Sequence, residues 1–346
     1  MSRIYLSLKP ILVAMDLRDL AKAIRNHPGV TRKRSISEVM HFIPSIGQNK
    51  VLASCGEDCA VLEYGDSVLL LAADGIMEPL MKASPYYAGY YSVLVNINDI
   101  AAMGGIPIAM VDIISMKDFK ICAQVMRGVE VAVKKFGVPI VGGHTHPDCE
   151  YHAIDVAILG TAKKKEVIYS HTAKVGDDII FAMDLDGFYP EALPYAWDTT
   201  TMKDSQLVRE QVIVMNKISS KGLVNSGKDM SNPGSIGTLG MLLETSAKGG
   251  TVDIDRLPRP ENSDFIQWVM AYQGCGFVVT CPSQNSEEVI DMFAKVEVTA
   301  SVVGSIDSSD KLVLISDGKE EVLFDFSSDI ITGCKPSAMV GMNHRF

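Results

Sequence analysis

Apolar residues are densest between Val93 and Met103, where almost every position is hydrophobic. Ser84 followed by Pro85 is typical of a helix start, and Gly104 is typical of a left-handed helix end. These signals predict one helix that is packed on most of its sides. Three polar residues interrupt its apolar run, namely Asn96, Asn98 and Asp99.

The polar residues of this helix are candidates for a functional site. At helical spacing Asn96 and Asp99 share a face, while Asn98 points elsewhere. An unpaired carboxylate inside a packed helix is costly, so Asp99 needs a compensating partner. That partner is either a metal ion at a nucleotide site or a structural group, such as a lysine or a neighbouring helix end. The helix by itself favours the structural alternative slightly.

Further apolar patterns predict strands and helices along the whole chain. An amphipathic helix begins at Asp16, and a short helix begins at Ser35 and ends near Pro44. The basic segment 31–34 between them is interpreted as a solvated turn. In the first half we predict strands over 56–62, 67–75, 107–115 and 152–162, a buried strand over 138–141 and a helix over 118–136. In the second half we predict strands over 179–183, 252–254, 276–281, 296–304, 311–315 and 322–324, and helices over 204–218 and 286–293 with another that ends at 248.

The length of 346 residues suggests two domains, each able to bury its own core. Composition changes near 163–166 and again near 172–178. We therefore divide the chain into an N-terminal domain over 15–170 and a C-terminal domain over 171–346. Residues 1–14 are interpreted as a dispensable extension or a start-site artefact.

Charge and cysteine content narrow the class of protein. A net charge of −10 argues against nucleic acid or an anionic membrane as the main partner. No apolar run reaches the length of a membrane span. The seven cysteines are scattered, and none forms a CxxC pair. This pattern indicates a reduced, cytoplasmic protein without a disulfide framework.

Four acidic residues stand out because each lies beside glycine, serine or asparagine at the end of an element or within the apolar helix: Asp58, Asp74, Asp99 and Asp229. Several carboxylates that converge from distant positions would suit a nucleotide site with Mg²⁺, because this cation prefers oxygen ligands. Each aspartate taken alone is equally well explained as a turn or cap residue. The sequence does not decide whether they converge.

Two segments are candidates for binding phosphate. Lys50 ends a polar loop and could reach a phosphate, although exposed lysines are common. The segment from Ser231 through Asn232 to Ser235 lies at a predicted helix start, where free N–H groups could bind an anion or simply be capped. The chain contains neither a Walker A loop nor a kinase-type glycine-rich loop, so a phosphate site here would have another design.

Histidine and cysteine donors are most concentrated around residue 146. His144 and His146 could share one face of an extended segment, with Asp148, Cys149 and His152 nearby. Their spacing matches no structural zinc pattern, so a transition-metal site is the least favoured of the chemical hypotheses.

These motifs, in this order, resemble those of the superfamily that contains aminoimidazole ribonucleotide (AIR) synthetase, thiamine monophosphate kinase, selenophosphate synthetase and the HypE hydrogenase maturation factor. The helix motif is the most specific part of a resemblance that covers about residues 50–320. The start of the first helix and Gly29-Val-Thr-Arg-Lys-Arg look similar to an archaeal branch known as methanogenesis marker protein 2. The segments that carry the resemblance are Gly56-Glu-Asp-Cys-Ala-Val, Ala73-Asp-Gly, Val95-Asn-Ile-Asn-Asp-Ile-Ala-Ala-Met-Gly-Gly-Ile-Pro, Val141-Gly-Gly-His-Thr and Asp229-Met-Ser-Asn.

The resemblance implies an α/β (α+β) fold of two AIR synthetase-like domains and a homodimer in which the N-terminal sheets close a barrel. It implies ATP bound through Mg²⁺ and phosphoryl transfer to a small-molecule substrate. In this resemblance Asn96 supports the metal ligand on the helix, and Ser231 contacts the nucleotide or a metal-bound water. Lys50 and Asn232 are added as candidate cofactor-binding residues. The positions that match metal ligands of the family are Asp58, Asp74, Asp99 and Asp229.

Two departures from the family pattern leave the function open. His144 replaces the acidic residue of one motif, and Asn232 replaces the second aspartate of another. Fewer carboxylates would hold fewer Mg²⁺ ions. His144 is then a candidate general base or proton carrier, and Asp99 is the other candidate catalytic residue. The first hypothesis is a Mg²⁺-dependent, ATP-using enzyme, and the alternative is an ATP-binding maturation or scaffold protein with little turnover.

Overall fold

The structure is a computed structural model that describes residues 16–40, 42–43 and 50–334. Three predictions lie outside these residues. They concern the N-terminal extension over 1–14, the polar loop over 45–49 and the end of the second helix near Pro44.

The first sheet carries the central helix. It has six strands in the order β1-β2-β3-β6-β4-β5. These strands are β1 (Val51–Ala53), β2 (Ala60–Tyr64), β3 (Ser67–Ile76), β4 (Ile106–Ser115), β5 (Ile140–His146) and β6 (Ala153–Lys163). Three helices belong to the same part of the chain, namely α4 (Glu78–Ala83), α5 (Pro85–Ala102) and α6 (Phe119–Phe136).

The predicted central helix is confirmed as α5. Ser84 occupies its N-cap position, although its side chain makes no capping hydrogen bond. Gly104 follows the helix with a φ of +71°, as the sequence predicts. The helix is buried because it packs against α6 and against β3 and β6 of the first sheet. It also packs against residues 226–229, which form a strand of a second sheet.

The face of the first sheet that α5 does not cover is apolar and exposed. Ile106, Ile108, Val111 and Ile113 of β4 are 44–46% exposed. The prediction of a buried strand over 138–141 is correct only in part, since Val138 is buried and β5 begins at Ile140, but Val141 is 67% exposed. The physical reason is that β5 is an edge strand on this face, and no described element covers it.

The second sheet has seven strands in the order β15-β14-β10-β13-β7-β12-β9. These are β7 (Asp177–Met183), β9 (Ser226–Asp229), β10 (Gly249–Asp253), β12 (Gly276–Pro282), β13 (Thr299–Asp307), β14 (Lys311–Ser316) and β15 (Lys319–Asp325). A separate pair is formed by β8 (Ala196–Trp197) and β11 (Tyr272–Gln273). The helices of this half are α7 (Ser205–Ser220), α8 (Gly234–Ser246), α9 (Phe265–Met270) and α10 (Ser286–Ala294).

The described part of the chain begins with α1 (Leu17–Asn26), α2 (Pro28–Thr31) and α3 (Ser35–Met40). The apolar side of α1 is buried, as its pattern predicts. It packs on α8 and on β14 and β15, so the first helix completes the core around the second sheet. The division of the chain after residue 170 stays a prediction.

The prediction that the cysteines are reduced and form no disulfide framework is wrong, because Cys55 and Cys334 form a disulfide. These two residues are 279 positions apart, and only the folded chain brings them together. The buried carboxylate of Glu244 holds the segment before Cys334 by accepting hydrogen bonds from the backbone N–H groups of Ile331, Thr332 and Gly333.

None of the helices in the described ranges has both the length and the apolar character needed to cross a bilayer.

Candidate functional site

Three carboxylates meet between the two sheets. Asp58 lies in the loop before β2, Asp99 lies near the end of α5, and Asp229 is the last residue of β9. One oxygen of each carboxylate lies within 4.8 Å of the others. Folding therefore gathers side chains that are far apart in the sequence.

The loop that presents Asp58 is fixed by its neighbours. Gly56 has a φ of +90°, and a Cβ at this position would lie 2.8 Å from the side chain of Thr245. Both constraints require glycine. The carboxylate of Glu57 accepts a hydrogen bond of 2.6 Å from the backbone N–H of Ser170. These contacts hold Asp58 facing β9.

Lys228 is a site residue that the sequence analysis missed. It is 6% exposed, and its ammonium group donates hydrogen bonds to Asp58 and, over 3.2 Å, to the carbonyl of Gly56. The backbone N–H of Asp229 also donates to Asp58, over 3.4 Å. The sequence analysis predicts no strand over 226–229, because the segment is polar, and the burial that makes a lysine need a partner is visible only in the structure.

The cluster is strongly perturbed electrostatically. Burial, with the charge of Asp58 next in importance, raises the pKa of Asp229 to about 8. Burial and the charge of Asp229 raise the pKa of Asp99 well above its usual range. Burial also raises the pKa values of Asp58 and Asp74. Burial lowers the pKa of Lys228, but the neighbouring carboxylates more than offset this and raise it overall.

Two cavities meet at this cluster. The first has a volume of about 370 Å³ and the second about 270 Å³. Asp58, Asp99 and Lys228 line the first cavity but not the second. Asn98 lines the second cavity but not the first. The residues that line both are Lys33, Asp74, Asp229, Ser231 and Asn232.

Three residues selected from the sequence lie elsewhere. Asn96 is fully buried, and its amide donates to the carbonyl of Ser92 over 2.8 Å. Lys50 is exposed and lines neither of the two cavities. His144 is exposed on β5 with its ring centroid 4.5 Å from that of His146, and it also lines neither cavity.

The residues of the cluster fit a hard divalent cation. Three carboxylates face one lysine, so the site has excess negative charge when all are ionised. Oxygen donors of this kind are the ligands that Mg²⁺ takes in proteins. Asp58, Asp99 and Asp229 could hold such an ion. Within the described ranges, His144 and His146 belong to no comparable group of donors.

The sequence also matches known protein families. Residues 56–162 match the family model for the N-terminal domain of AIR synthase related proteins, and residues 181–317 match the model for the C-terminal domain. The chain belongs to the AIR synthase related protein family.

Two relatives match this AIR synthase related protein over nearly their whole length. It is 48% identical to the protein MJ0640 of Methanocaldococcus jannaschii over 92% of this chain and 100% of that protein. It is 34% identical to the protein sll0787 of Synechocystis over 92% of this chain and 98% of that protein.

The two-domain α/β fold of the family is also found in a solved structure. Thermotoga maritima PurL complexed with ATP superimposes with a TM-score of 0.73 at 16% identity. The match covers 90% of this chain and 52% of PurL, so this AIR synthase related protein spans about half of that longer chain.

Proposed function

We propose that this protein is a Mg²⁺-dependent enzyme that uses ATP to transfer a phosphoryl group to a small molecule. In this respect it would resemble thiamine monophosphate kinase and other AIR synthetase-type enzymes. The observation that carries the proposal is the meeting of Asp58, Asp99 and Asp229 within 4.8 Å at the wall of a cavity. The solved structure of PurL with ATP, which shares the fold, supports a nucleotide as the ligand.

The charge balance of the cleft supports this choice of ligand. An acidic cluster repels a triphosphate unless cations lie between them. Mg²⁺ held by the three carboxylates would supply that positive charge and neutralise charge on the phosphates during transfer. Lys33 lines both cavities and is placed to contact a phosphate. Ser231 and Asn232 line the same wall just before α8 and offer polar groups to it.

The predicted roles of the other residues are modified accordingly. We assign Asp99 and Asp229 to metal binding together with Asp58, and we place Asp74 at the junction of the two cavities. Asn96 is assigned a structural role through its hydrogen bond to Ser92. We assign no role in the cleft of this chain to Lys50 or His144.

One observation favours the alternative of a nucleotide-binding maturation or scaffold protein. Asn232 lines both cavities at a position where the family pattern has an acidic residue, so the cleft has one carboxylate fewer. Weaker metal binding would slow transfer while leaving nucleotide binding intact. The turnover measurement below separates the two functions.

We also propose that the protein is a homodimer built on the first sheet. The exposed residues of β4, with Leu71 of β3 and Val141 of β5, form one apolar surface. Apolar patches of this kind are typical of interfaces. A second copy would cover them and bring two first sheets face to face.

The experiment compares the wild-type protein with Asp99→Asn. Affinity for the nonhydrolysable analogue AMPPCP is measured by calorimetry with and without Mg²⁺, and ATP turnover is followed separately with candidate acceptors. We expect affinity to depend on Mg²⁺ and the Asp99→Asn variant to lose at least about tenfold, because it removes a ligand oxygen charge. Asp291→Asn is the matched control, since Asp291 is exposed on α10 and lines neither cavity.

The outcomes separate three cases. Turnover that needs both Mg²⁺ and Asp99 supports the enzyme. Tight binding without turnover of any candidate acceptor supports the scaffold. Absence of AMPPCP binding at millimolar concentration, with or without Mg²⁺, overturns both.

A further inference from the structure

The disulfide between Cys55 and Cys334 lies in the wall of the first cavity. Both cysteines line this cavity together with Asp58 and Asp229, and neither of them lines the second. Cys55 is half-buried, whereas Cys334 is buried. A thiol in the cavity would therefore attack the sulfur of Cys55. The disulfide faces the same space that the proposed function assigns to the nucleotide.

One end of the disulfide belongs to the loop that presents a metal ligand. Cys55 lies three residues before Asp58. The carbonyl oxygen of Gly56, between them, accepts a hydrogen bond from Lys228 over 3.2 Å. A Cβ on Gly56 would lie 2.9 Å from the Cβ of Cys334, so the two chain segments are in direct contact. The bond therefore fixes the loop of Asp58 against the segment that ends at Cys334.

The other end of the disulfide is anchored by contacts that do not involve sulfur. The carboxylate of Glu244 accepts hydrogen bonds from three consecutive backbone N–H groups, those of Ile331, Thr332 and Gly333. The hydroxyl of Thr332 donates to the same carboxylate and accepts from the backbone N–H of Cys334 over 3.1 Å. These contacts would keep the two thiols close together after reduction, so the disulfide could form again.

The other five cysteines differ from this pair in their surroundings. All five are free thiols, and four of them are buried. Cys149 is half-buried. None of the five lines either cavity. A redox reaction at the first cavity would therefore involve Cys55 and Cys334.

We propose that Cys55 and Cys334 form a thiol–disulfide exchange site that controls how tightly the first cavity binds Mg²⁺ and nucleotide. A dithiol is the reductant. This inference rests on the proposed function, because that function places the two ligands in this cavity.

The exchange reaction has two steps. A thiolate of the dithiol attacks the sulfur of Cys55, the bond to Cys334 breaks, and Cys334 leaves as a thiolate that takes up a proton. The second thiol of the reductant then attacks its own partner sulfur in the mixed disulfide and releases Cys55 as a thiol. Two electrons and two protons pass to the protein, and the dithiol becomes a cyclic disulfide.

The oxidised form should bind the ligands more tightly. The disulfide holds the loop of Asp58 in place, so less conformational freedom is lost when a ligand binds. By linkage, the bound nucleotide must stabilise the disulfide by the same factor. We expect the affinities of the oxidised and reduced protein to differ about tenfold, which corresponds to a reduction potential about 30 mV lower with nucleotide bound.

Two independent measurements test this coupling. The affinity of the full-length protein for AMPPCP with Mg²⁺ is measured by calorimetry in the oxidised form and again after reduction by dithiothreitol. Separately, the protein is equilibrated with reduced and oxidised dithiothreitol at defined ratios, with and without Mg²⁺ and AMPPCP. Alkylation followed by mass measurement gives the oxidised fraction. The factor obtained from the affinities should equal the factor obtained from the redox equilibria.

Serine variants test the assignment to this pair. Cys334→Ser should bind AMPPCP as weakly as the reduced wild-type protein, and its affinity should not respond to dithiothreitol. Cys149→Ser is the matched control and should behave like the wild-type protein, because Cys149 is free and lines neither cavity. Circular dichroism first checks that each protein is folded in each redox state.

A kinetic measurement decides the question if Cys334→Ser does not fold. The rate at which dithiothreitol reduces the wild-type disulfide is measured from the folded, oxidised protein. Mg²⁺ with AMPPCP should slow this reduction severalfold, because the ligands would cover Cys55 in the cavity. A rate that the ligands leave unchanged would contradict the inference.

Two further results would overturn the inference. One is equal affinity for AMPPCP in the oxidised and reduced proteins, and the other is a redox equilibrium that the ligands leave unchanged. Absence of AMPPCP binding in both redox states would count against the proposed function instead. The redox equilibria with Mg²⁺ alone would then decide the inference, since Asp58 lies in the same loop as Cys55. A shift toward the disulfide would support it, and no shift would overturn it.

Discussion

Asn98 and Asp99 are consecutive residues of α5, yet their side chains line different cavities. Asp99 lines the first cavity with Asp58 and Lys228, and Asn98 lines the second with Tyr91 and Tyr272. Consecutive residues of a helix point about 100° apart. The end of α5 thus forms the ridge between the two cavities, and a substitution at either residue should change the lining of one cavity and leave that of the other intact.

Removal of the buried lysine should destabilise the protein. In Lys228→Met the carboxylate of Asp58 loses its ion-pair partner in a site where both side chains are less than 10% exposed. Breaking a buried pair from one side costs about 3–5 kcal/mol. Urea unfolding without Mg²⁺ measures the loss.

Two further measurements check the origin of that loss. The double variant Lys228→Met with Asp58→Asn should lose less stability, because no unpaired charge remains. Mg²⁺ should increase the free energy of unfolding more in Lys228→Met than in the wild-type protein. An unfolding free energy equal to that of the wild type would contradict the structural role of the pair.

Metal binding should release protons near neutral pH. Burial raises the pKa of Asp229 to about 8, so this carboxyl is mostly protonated at neutral pH without a metal, and burial with the charge of Asp229 raises the pKa of Asp99 in the same direction. Mg²⁺ binds the ionised form, so its apparent affinity should rise as the pH rises toward about 8. Calorimetry in two buffers of different ionisation enthalpy counts the released protons.

The same groups should make stability depend on pH. Between the ordinary pKa of an aspartate and about 8 the folded state without metal binds more protons than the unfolded state. Its stability should therefore fall as the pH rises through this range, and saturating Mg²⁺ should reduce the fall. Uptake of protons on Mg²⁺ binding, instead of their release, would contradict this explanation.

The disulfide should stabilise the fold. Cys334→Ser should lower the free energy of unfolding by about 2–4 kcal/mol, because the bond to Cys55 restricts the unfolded chain. A reductant should lower the stability of the wild-type protein to that of the variant and leave the variant unchanged. The predicted cytoplasmic location is tested at the same time, since thiols there are normally kept reduced. Mass measurement of protein isolated under acid quench counts the free thiols.

A charge placed on the apolar face of the first sheet should disrupt the proposed dimer. Ile113 is 46% exposed on β4, and Ile113→Glu would place a carboxylate at the centre of the interface. We expect the wild-type protein to have twice the mass of the 37.5 kDa chain in light scattering, and the variant to have that mass itself. Val175→Glu is the control, since Val175 is exposed in the loop before β7.

Elements with local signals could be predicted from the sequence. For α6, the side chain of Asp118 accepts from the backbone N–H of Lys120, and Gly137 ends the helix with a φ of +75°. Such caps depend only on neighbouring residues. The six-residue helix α9 was missed, because its pattern is too short to show a period. The exposure of β5 was also missed, since it depends on which face of a distant sheet remains uncovered.

The candidate site was predictable only in part. The aspartates could be singled out by their local context, but their convergence depends on tertiary structure. The cationic residues Lys228, Arg32 and Lys33 were missed because their positions at the cavities also depend on tertiary structure. The segment that contains Arg32 and Lys33 was interpreted as a solvated turn, and its position beside the cleft follows from the packing of α1 on the second sheet. Asn98 was set aside because its direction on α5 differs from that of Asp99.

The packing of α1 on β14 and β15 has a consequence for synthesis on the ribosome. The apolar side of α1, with Leu17, Leu20 and Ile24, leaves the ribosome long before β14 and β15, the strands that cover it, are synthesised. At typical rates this interval lasts roughly 15 to 60 seconds. During that time the nascent chain presents an uncovered amphipathic helix, which is the kind of segment that chaperones bind.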